Sequence, residues 1–240
     1  MMISRQTFLR FTGLSLAAMA FKKVARAFTG PRWGMAIDTA KCAQEGNCTD
    51  CTAACRKAHN IPQIPDARRE IRWLWQEKFN RALPNQSDEY SNLGASPVMV
   101  MCNHCENPPC VRVCPTQATF QRADGIVAMD YHRCIGCRYC MAACPYGSRS
   151  FNWQDPRPYI ANPTADFPTR TKGVVEKCNF CSERLSSGRQ PACAEACPEK
   201  ALTFGNLNDP QSPIRQLLAT RRHIRRKPEL GTDPKVFYIV

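Results

Sequence analysis

The sequence has no apolar run long enough to cross a bilayer. Its longest apolar stretch is residues 11–21, whereas a membrane-spanning helix needs about 20 consecutive apolar residues. The body of the chain contains no stretch that approaches this length. The sequence therefore predicts that any link between this protein and a membrane is peripheral.

Motifs for several common cofactors and for catalysis are also missing. There is no CxxCH motif for covalent haem, no GxGxxG fingerprint and no P-loop. The histidines are His59, His104, His132 and His223, and they fit hydrogen-bonding or surface roles better than ligand roles. No nucleophile and base can be assigned around them. These absences favour a protein without a catalytic site of its own.

Cysteine, in contrast, is abundant. The chain has 16 cysteines in 240 residues, and all of them fall into four groups of four, within residues 42–55, 102–114, 134–144 and 178–197. We number these groups one to four in chain order. A chain of this length does not need a disulfide framework for stability. Structural zinc sites typically use two C-x2-C pairs that are far apart, which is not the pattern here.

The spacing within the groups favours iron–sulfur chemistry. Thiolate is a soft ligand that suits zinc, Cu(I) or iron–sulfur clusters. Group three and Pro145 follow the pattern C-x2-C-x2-C-x3-C-P, which in bacterial ferredoxins places three ligands on one cluster and the fourth on its neighbour. Proline after the last cysteine fixes φ and turns the chain away. At four ligands per cluster, the 16 cysteines predict four [4Fe–4S] clusters.

The other groups depart from this spacing. Five residues follow Cys42, four follow Cys105 and eleven follow Cys181 before the next cysteine. A longer loop can change solvent access and so shift the potential of a cluster. The alternative is that Cys42 is not a ligand, although no cysteine is left over to replace it.

A weak internal repeat divides the body of the chain. Residues 125–134 parallel residues 34–42, since each has a short apolar run and then an aspartate before the first cysteine of a group. Residues 118–130 predict two short strands joined at Asp124-Gly125, which is a strong hairpin signal. The repeated unit is a strand, a cysteine loop, a short helix and a strand.

We therefore predict an α+β fold of two ferredoxin-like units, each with two [4Fe–4S] clusters, short hairpins and short helices. Residues 97–155 form a unit inserted into a second, split unit of residues 28–60 plus 172–207. Residues 61–96 form an insertion hairpin or loop whose tryptophans have a packing role. Residues 208–240 form a C-terminal tail that wraps the surface and ends in an apolar strand.

The first 27 residues have the layout of an export signal. Ser4, Arg5 and Phe8 match a twin-arginine signal, but Gln6 stands where the second arginine belongs. Twin-arginine transport moves folded, cofactor-loaded proteins, which suits iron–sulfur clusters. We expect an exported protein, held peripherally at the periplasmic face of the cytoplasmic membrane. The alternative is that this segment is kept as an amphipathic anchor.

The formal charge of +13 would ordinarily suggest nucleic acid or an anionic membrane as a partner. Residues 1–27 carry five basic residues and no acidic one, and each four-thiolate cluster adds about two negative charges. The mature protein with its clusters is therefore close to neutral. The basic run at residues 221–227 fits a solvated face or a contact with an acidic partner, since no basic groove with interleaved aromatics accompanies it. We expect no nucleic-acid partner.

Several motifs resemble those of a known family. CNHCENPPC, CIGCRYCMAACPYG, KCNFC, PELGTDP and the C-terminal VFYIV are similar to the four-cluster ferredoxin-type subunits of membrane oxidoreductases, the DmsB-, PhsB- and NrfC-like proteins. The resemblance covers nearly the whole chain after the signal segment. It implies an electron-transfer subunit that works with an NrfD-like integral membrane quinone-interacting subunit, a multihaem cytochrome c and other subunits of a respiratory complex. Within the family, the chain looks most like the DsrO proteins of DsrMKJOP complexes, which are associated with dissimilatory sulfite reduction or sulfur oxidation.

The resemblance also implies how the ligands are shared. Cluster 1 would be held by Cys42, Cys48, Cys51 and Cys197; cluster 2 by Cys178, Cys181, Cys193 and Cys55; cluster 3 by Cys102, Cys105, Cys110 and Cys144; and cluster 4 by Cys134, Cys137, Cys140 and Cys114.

Two other classes of function stay open at this point. The chain would also suit the electron-transfer subunit of a molybdopterin reductase that acts on dimethyl sulfoxide, thiosulfate or polysulfide. A metal-dependent structural or regulatory module without electron flow is the second alternative.

Overall fold

The computed structural model describes residues 30–44, 48–86 and 89–240. The predicted signal segment, residues 1–27, lies outside the described residues. Within them, the helices are too short and too polar to cross a bilayer.

Short helices and strands alternate with loops. The strands are β1 (Trp33–Asp38), β2 (Leu74–Lys78), β3 (Pro97–Met101), β4 (Thr119–Gln121), β5 (Val127–Met129), β6 (Ser150–Phe151), β7 (Val175–Glu176), β8 (Leu202–Asn206), β9 (His223–Ile224) and β10 (Val236–Ile239). The helices are α1 (Thr39–Gln44), α2 (Asp50–Ala58), α3 (Phe79–Ala82), α4 (Pro109–Arg112), α5 (Tyr139–Ala142), α6 (Ser182–Ser186), α7 (Ala192–Glu195) and α8 (Pro213–Thr220). The predicted α+β class is confirmed.

The largest sheet has the strand order β8-β1-β10-β9. β1 runs antiparallel to β8 and parallel to β10, so Met35 lies opposite both Phe204 and Val236. Helix α8 covers this sheet through Ile214, which packs against Ala36. Residues 208–240 therefore contribute two strands to this sheet and a helix that covers it, whereas the sequence predicted a surface tail with one terminal strand.

The hairpin predicted at Asp124-Gly125 is confirmed. β4 and β5 pair antiparallel on either side of this turn. Gly125 has a φ of +82°, a conformation that glycine adopts without the steric cost that other residues meet.

The internal repeat is also reproduced by the backbone. The N–H of Asp130 donates to the carbonyl of Ala118 at 2.7 Å, and the N–H of Asp38 donates to the carbonyl of Ala201 at 2.8 Å. These bonds close the β4–β5 and β1–β8 pairs at matching positions, immediately before groups three and one. Each pair thereby joins the strand after one cysteine group to the strand before another.

Two further strand pairs cross the predicted boundaries of the inserted unit. β2 pairs antiparallel with β3, and β6 pairs antiparallel with β7. β3 and β6 lie within residues 97–155, whereas β2 and β7 lie outside them. The outer strands of the inserted unit are therefore hydrogen-bonded to the rest of the chain.

A buried polar network lies beside β7. The Glu176 carboxylate is 2.8 Å from the Arg170 guanidinium, and neither side chain is exposed. Trp73 donates its Nε1–H to Glu176 at 3.0 Å, which confirms a structural role for this tryptophan. Arg170 donates to the backbone carbonyls of His59 and Asn60. The network thus connects the segment after group one to the strand before group four.

Much of the basic run at residues 221–227 contacts the chain itself. Arg226 donates its Nε–H to the carbonyl of Ala82 at 2.9 Å, and Lys227 donates to the carbonyl of Pro145 at 2.8 Å. Arg222 forms an ion pair with Glu89. Three of the basic side chains in this run therefore have partners within the chain itself.

Candidate metal centres

The C-x2-C loops of groups two, three and four share an uncommon backbone conformation. The second intervening residue has a positive φ in each: +42° at His104, +70° at Gly136 and +54° at Phe180. Few residues other than glycine adopt this conformation. At Gly136 a Cβ atom would lie 2.4 Å from the carbonyl oxygen of Gly173, so this position has no room for a side chain. The repetition indicates that the three loops have the same local structure.

The turns after the last cysteine of these groups are also alike. Gln117, Gly147 and Lys200 each lie three residues after that cysteine, with φ of +54°, +63° and +48°. Group one differs, because Cys55 lies inside α2 and is followed by Arg56 instead of proline.

Three cavities are each lined by four cysteines. Cavity 1 is lined by Cys42, Cys48, Cys51 and Cys197; cavity 3 by Cys102, Cys105, Cys110 and Cys144; and cavity 4 by Cys114, Cys134, Cys137 and Cys140. In each cavity, three cysteines come from one group and the fourth is the last cysteine of a different group. These are the sets implied by the family resemblance for clusters 1, 3 and 4, and ligation by them stays a prediction.

The remaining four cysteines form a buried set. They are Cys55, Cys178, Cys181 and Cys193. Burial raises the pKa of the Cys55 thiol well above its ordinary value, and the three other cysteines raise it further. Cavity 1 is similar, since burial and the neighbouring cysteines raise the pKa of Cys51 to about 12. Sets of thiols that oppose each other's ionisation suit a bound metal, which holds its thiolate ligands deprotonated.

His59 lies next to the buried set. Its Nδ1 is 3.7 Å from Cys55 Sγ, and its Nε2 is 2.8 Å from a Glu183 oxygen. Burial by itself lowers the pKa of His59, but hydrogen bonds with Cys181 and Glu183 raise it to about 9. His59 therefore has hydrogen-bonding contacts with cysteine, as the sequence suggested for its histidines.

Cavity 3 is lined by buried hydrogen-bond donors that have no acceptor among the residues that the structure describes. Asn103 and Arg149 line it, and Asn103 Nδ2 and Arg149 Nη2 are buried without a hydrogen-bond partner in the part of the chain that the structure describes. An unpaired buried donor costs about 1–3 kcal/mol. The sulfur atoms of an iron–sulfur cluster accept hydrogen bonds, so the donors and the four thiols together fit such a group.

Sequence reasoning missed three buried cations near the cysteines. Arg149, Lys177 and Lys235 are each 6% exposed or less. Lys177 donates to the carbonyl of the adjacent Cys178 at 2.6 Å, and Lys235 donates to the carbonyl of Gly125 at 2.9 Å. Basic residues are ordinarily exposed, so the sequence did not predict that these three would be buried. Only Lys177, which directly precedes Cys178, could have been placed near a cysteine from the sequence.

Cavity 4 lies beside an exposed apolar surface. Cys137 is the only exposed residue among the 16 cysteines, all of which the structure describes. Ile135 and Tyr139, on either side of it, are 67% and 63% exposed, and Trp153 is 46% exposed. The Arg138 guanidinium stacks 4.7 Å from the centroid of the Trp153 ring, which connects Trp153 to this loop. We call these five residues the Cys137 surface.

Comparisons with known proteins identify relatives along nearly the whole chain. Residues 98–207 match the family model described as a 4Fe-4S dicluster domain. The chain is 40% identical to the Hdr-like menaquinol oxidoreductase iron-sulfur subunit 1 of Archaeoglobus fulgidus, over 99% of this chain and 98% of that protein. It is 39% identical to a putative iron-sulfur subunit of dimethyl sulfoxide reductase from Halobacterium salinarum, over 86% and 78%. It is 38% identical to the menaquinone reductase iron-sulfur cluster-binding subunit of Nitratidesulfovibrio vulgaris, over 87% and 88%.

Proposed function

We infer that this chain relays electrons between subunits of a membrane-bound respiratory complex. The chain belongs to the four-cluster ferredoxin-type family of DmsB-like and NrfC-like electron-transfer subunits. Its cofactors are [4Fe–4S] clusters. Each cluster, when bound, takes up and releases one electron at a potential set by net charge, hydrogen bonds to its sulfurs and exposure.

The arrangement of the 16 thiols in four sets is the observation that carries this inference. We propose that cavities 1, 3 and 4 hold clusters 1, 3 and 4, and that the buried set around Cys55 holds cluster 2. Each site takes its fourth cysteine from a distant group. A site is complete only when the fold has brought two cysteine groups together. The fold also keeps the buried sites away from water.

The metal content tests this proposal directly. Chain purified without oxygen should contain about 16 iron and about 16 acid-labile sulfide, four of each for every four cysteines. Reduction with dithionite should produce electron paramagnetic resonance signals from interacting clusters. About two zinc ions and no sulfide would instead favour the structural or regulatory alternative.

The Cys137 surface suits contact with an electron-transfer partner. Exposed apolar side chains that lie together commonly mark protein–protein interfaces, and Tyr, Trp and Arg are frequent anchors in them. Here Tyr139, Trp153 and Arg138 surround the only exposed cysteine. A partner that covers this surface would exclude water from it and would lie next to cavity 4, which Cys137 lines.

We propose that the partner is an NrfD-like integral membrane subunit that interacts with quinone, with a multihaem cytochrome c in the same complex. The names of two relatives include menaquinol or menaquinone, which supports a link to the quinone pool. The motifs that resemble DsrO proteins support a place in dissimilatory sulfite or sulfur metabolism. The predicted signal segment supports a peripheral position at the periplasmic face of the membrane.

Purification of the intact complex tests these partners. The chain should leave membranes with detergent, together with an integral membrane subunit and c-type haem absorption, and should withstand a wash in 1 M salt, because salt screens exposed charge pairs but not apolar contacts. A chain that salt removes cleanly, with no membrane subunit, would contradict the proposed attachment.

A second candidate function is electron transfer to a molybdopterin reductase. It is favoured by the relative named as part of a putative dimethyl sulfoxide reductase. Molybdenum and a pterin-binding subunit in the same purified complex would select this candidate. Their absence, with c-type haem present, would select the quinone-linked complex.

A further inference from the structure

Arg149 lies in the wall between two cysteine-lined cavities. It lines cavity 3, and its side chain is directed toward cavity 4: its Nη1 donates to Thr119 Oγ1 at 3.1 Å and lies 3.2 Å from Met129 Sδ. Thr119 and Met129 both line cavity 4. Arg149 itself is 6% exposed. One buried guanidinium group is therefore shared between the two cavities.

The charge of this group has no carboxylate partner within the described part of the chain. A guanidinium group stays protonated in proteins. Across residues 30–44, 48–86 and 89–240, Arg149 forms no ion pair, and its principal electrostatic neighbours are Cys110 and Cys102 of cavity 3 and Cys140 of cavity 4. Burying a cation without an anion is costly, and the negative charge of ligated thiolates in both cavities would offset that cost.

We propose that the positive charge of Arg149 raises the reduction potentials of clusters 3 and 4 together. Arg149 is in this sense a positioning residue, since it acts through the clusters. The inference rests on the proposed function and on the ligand sets proposed for cavities 3 and 4. Reduction adds a negative charge to a cluster, and a fixed positive charge beside it in a poorly polarisable interior stabilises the reduced form. Because the same charge borders both cavities, it stabilises the reduced form of clusters 3 and 4 at once.

The wall of cavity 1 offers an internal comparison. The basic residue in it is Lys41, which is exposed, and solvent screens an exposed charge. Arg149 does not line cavity 1, so cluster 1 should respond little to a change at this residue.

The central test is Arg149→Met, which removes the charge but keeps an apolar side chain of similar length. Its potentials should be measured by redox titration followed with electron paramagnetic resonance, with iron and sulfide determined on the same sample. We expect unchanged iron content and more negative potentials for two of the four clusters. At a fixed solution potential, the ratio of reduced to oxidised protein at these clusters should fall about tenfold, which for one electron is about 59 mV. Arg112→Met is the matched control, since Arg112 is an exposed cation two residues after Cys110, and it should shift no potential.

Arg149→Lys separates charge from shape. Lysine keeps the positive charge but lacks the planar fork, so this variant should keep its iron and stay close to the native potentials. If Arg149→Met loses iron, an Arg149→Lys protein that keeps its iron and its native potentials still supports the proposal, because the two variants differ in charge. Loss of iron in Arg149→Lys, or full iron and four unchanged potentials in Arg149→Met, would overturn it. Wild-type protein without iron and sulfide would instead contradict the proposed function itself.

Discussion

Replacing Cys144 by serine should remove the cluster whose other three ligands lie at least 34 residues earlier in the chain, at Cys102, Cys105 and Cys110. Cys144 lines the same cavity as these three cysteines, although its neighbours in sequence line another. The variant should lose about a quarter of its iron, that is about four of about 16 atoms. Alkylation of free thiols followed by peptide mass spectrometry should find Cys102, Cys105 and Cys110 newly reactive.

The reciprocal variant is Cys114→Ser, which provides a matched control. Cys114 lies in group two but lines cavity 4, so its loss should expose Cys134, Cys137 and Cys140 to alkylation and leave cavity 3 protected. Reactive Cys134, Cys137 and Cys140 in the Cys144→Ser protein would mean that the last cysteine of each group serves its own group, and the shared ligation proposed here would be wrong.

Glu176→Gln should destabilise the protein by about 3–5 kcal/mol, because it leaves the charge of Arg170 buried without a counter-ion. Both side chains are fully buried, and Glu176 also accepts hydrogen bonds from Trp73 and Asn152. The measurement is the urea concentration at which the visible absorption of the clusters bleaches, converted to free energy with a common slope.

Two variants check the cause of this loss. The double variant Arg170→Met/Glu176→Gln has no buried charge at this place and should be more stable than Glu176→Gln alone. Asp155→Asn removes the carboxylate of an exposed ion pair with Arg157 and should change stability by no more than about 0.5 kcal/mol. A Glu176→Gln protein that bleaches at the native urea concentration would contradict a stabilising role for the pair.

Features that depend on a few neighbouring residues were predictable. The hairpin at Asp124-Gly125 follows from the ability of glycine to adopt a positive φ. The repeat before groups one and three follows from similar short apolar runs, which form β1 and β5. Positive φ at Phe180 and Lys200 was not predictable, because residues other than glycine give no such signal.

Features that join distant segments were much less accessible. The pairing of β2 with β3 and of β6 with β7 crosses the predicted boundaries of the inserted unit. The parallel pairing of β10 with β1 connects the two ends of the described chain. A strand's own sequence specifies which of its faces is apolar, but it says little about which strand it will pair with.

By itself the sequence determined the chemistry of this protein: 16 soft ligands, their division into four groups, and the short strands and turns that carry them. These follow from residue identity and local spacing, since ligand softness and turn geometry are properties of a few adjacent residues. The tertiary structure alone decided that Cys137 is exposed, that Arg149 separates cavities 3 and 4, and that Arg170 and Glu176 meet in the core. These depend on burial and on contacts between residues far apart in the chain, and a charged residue that becomes buried has the same sequence signature as one that remains in water.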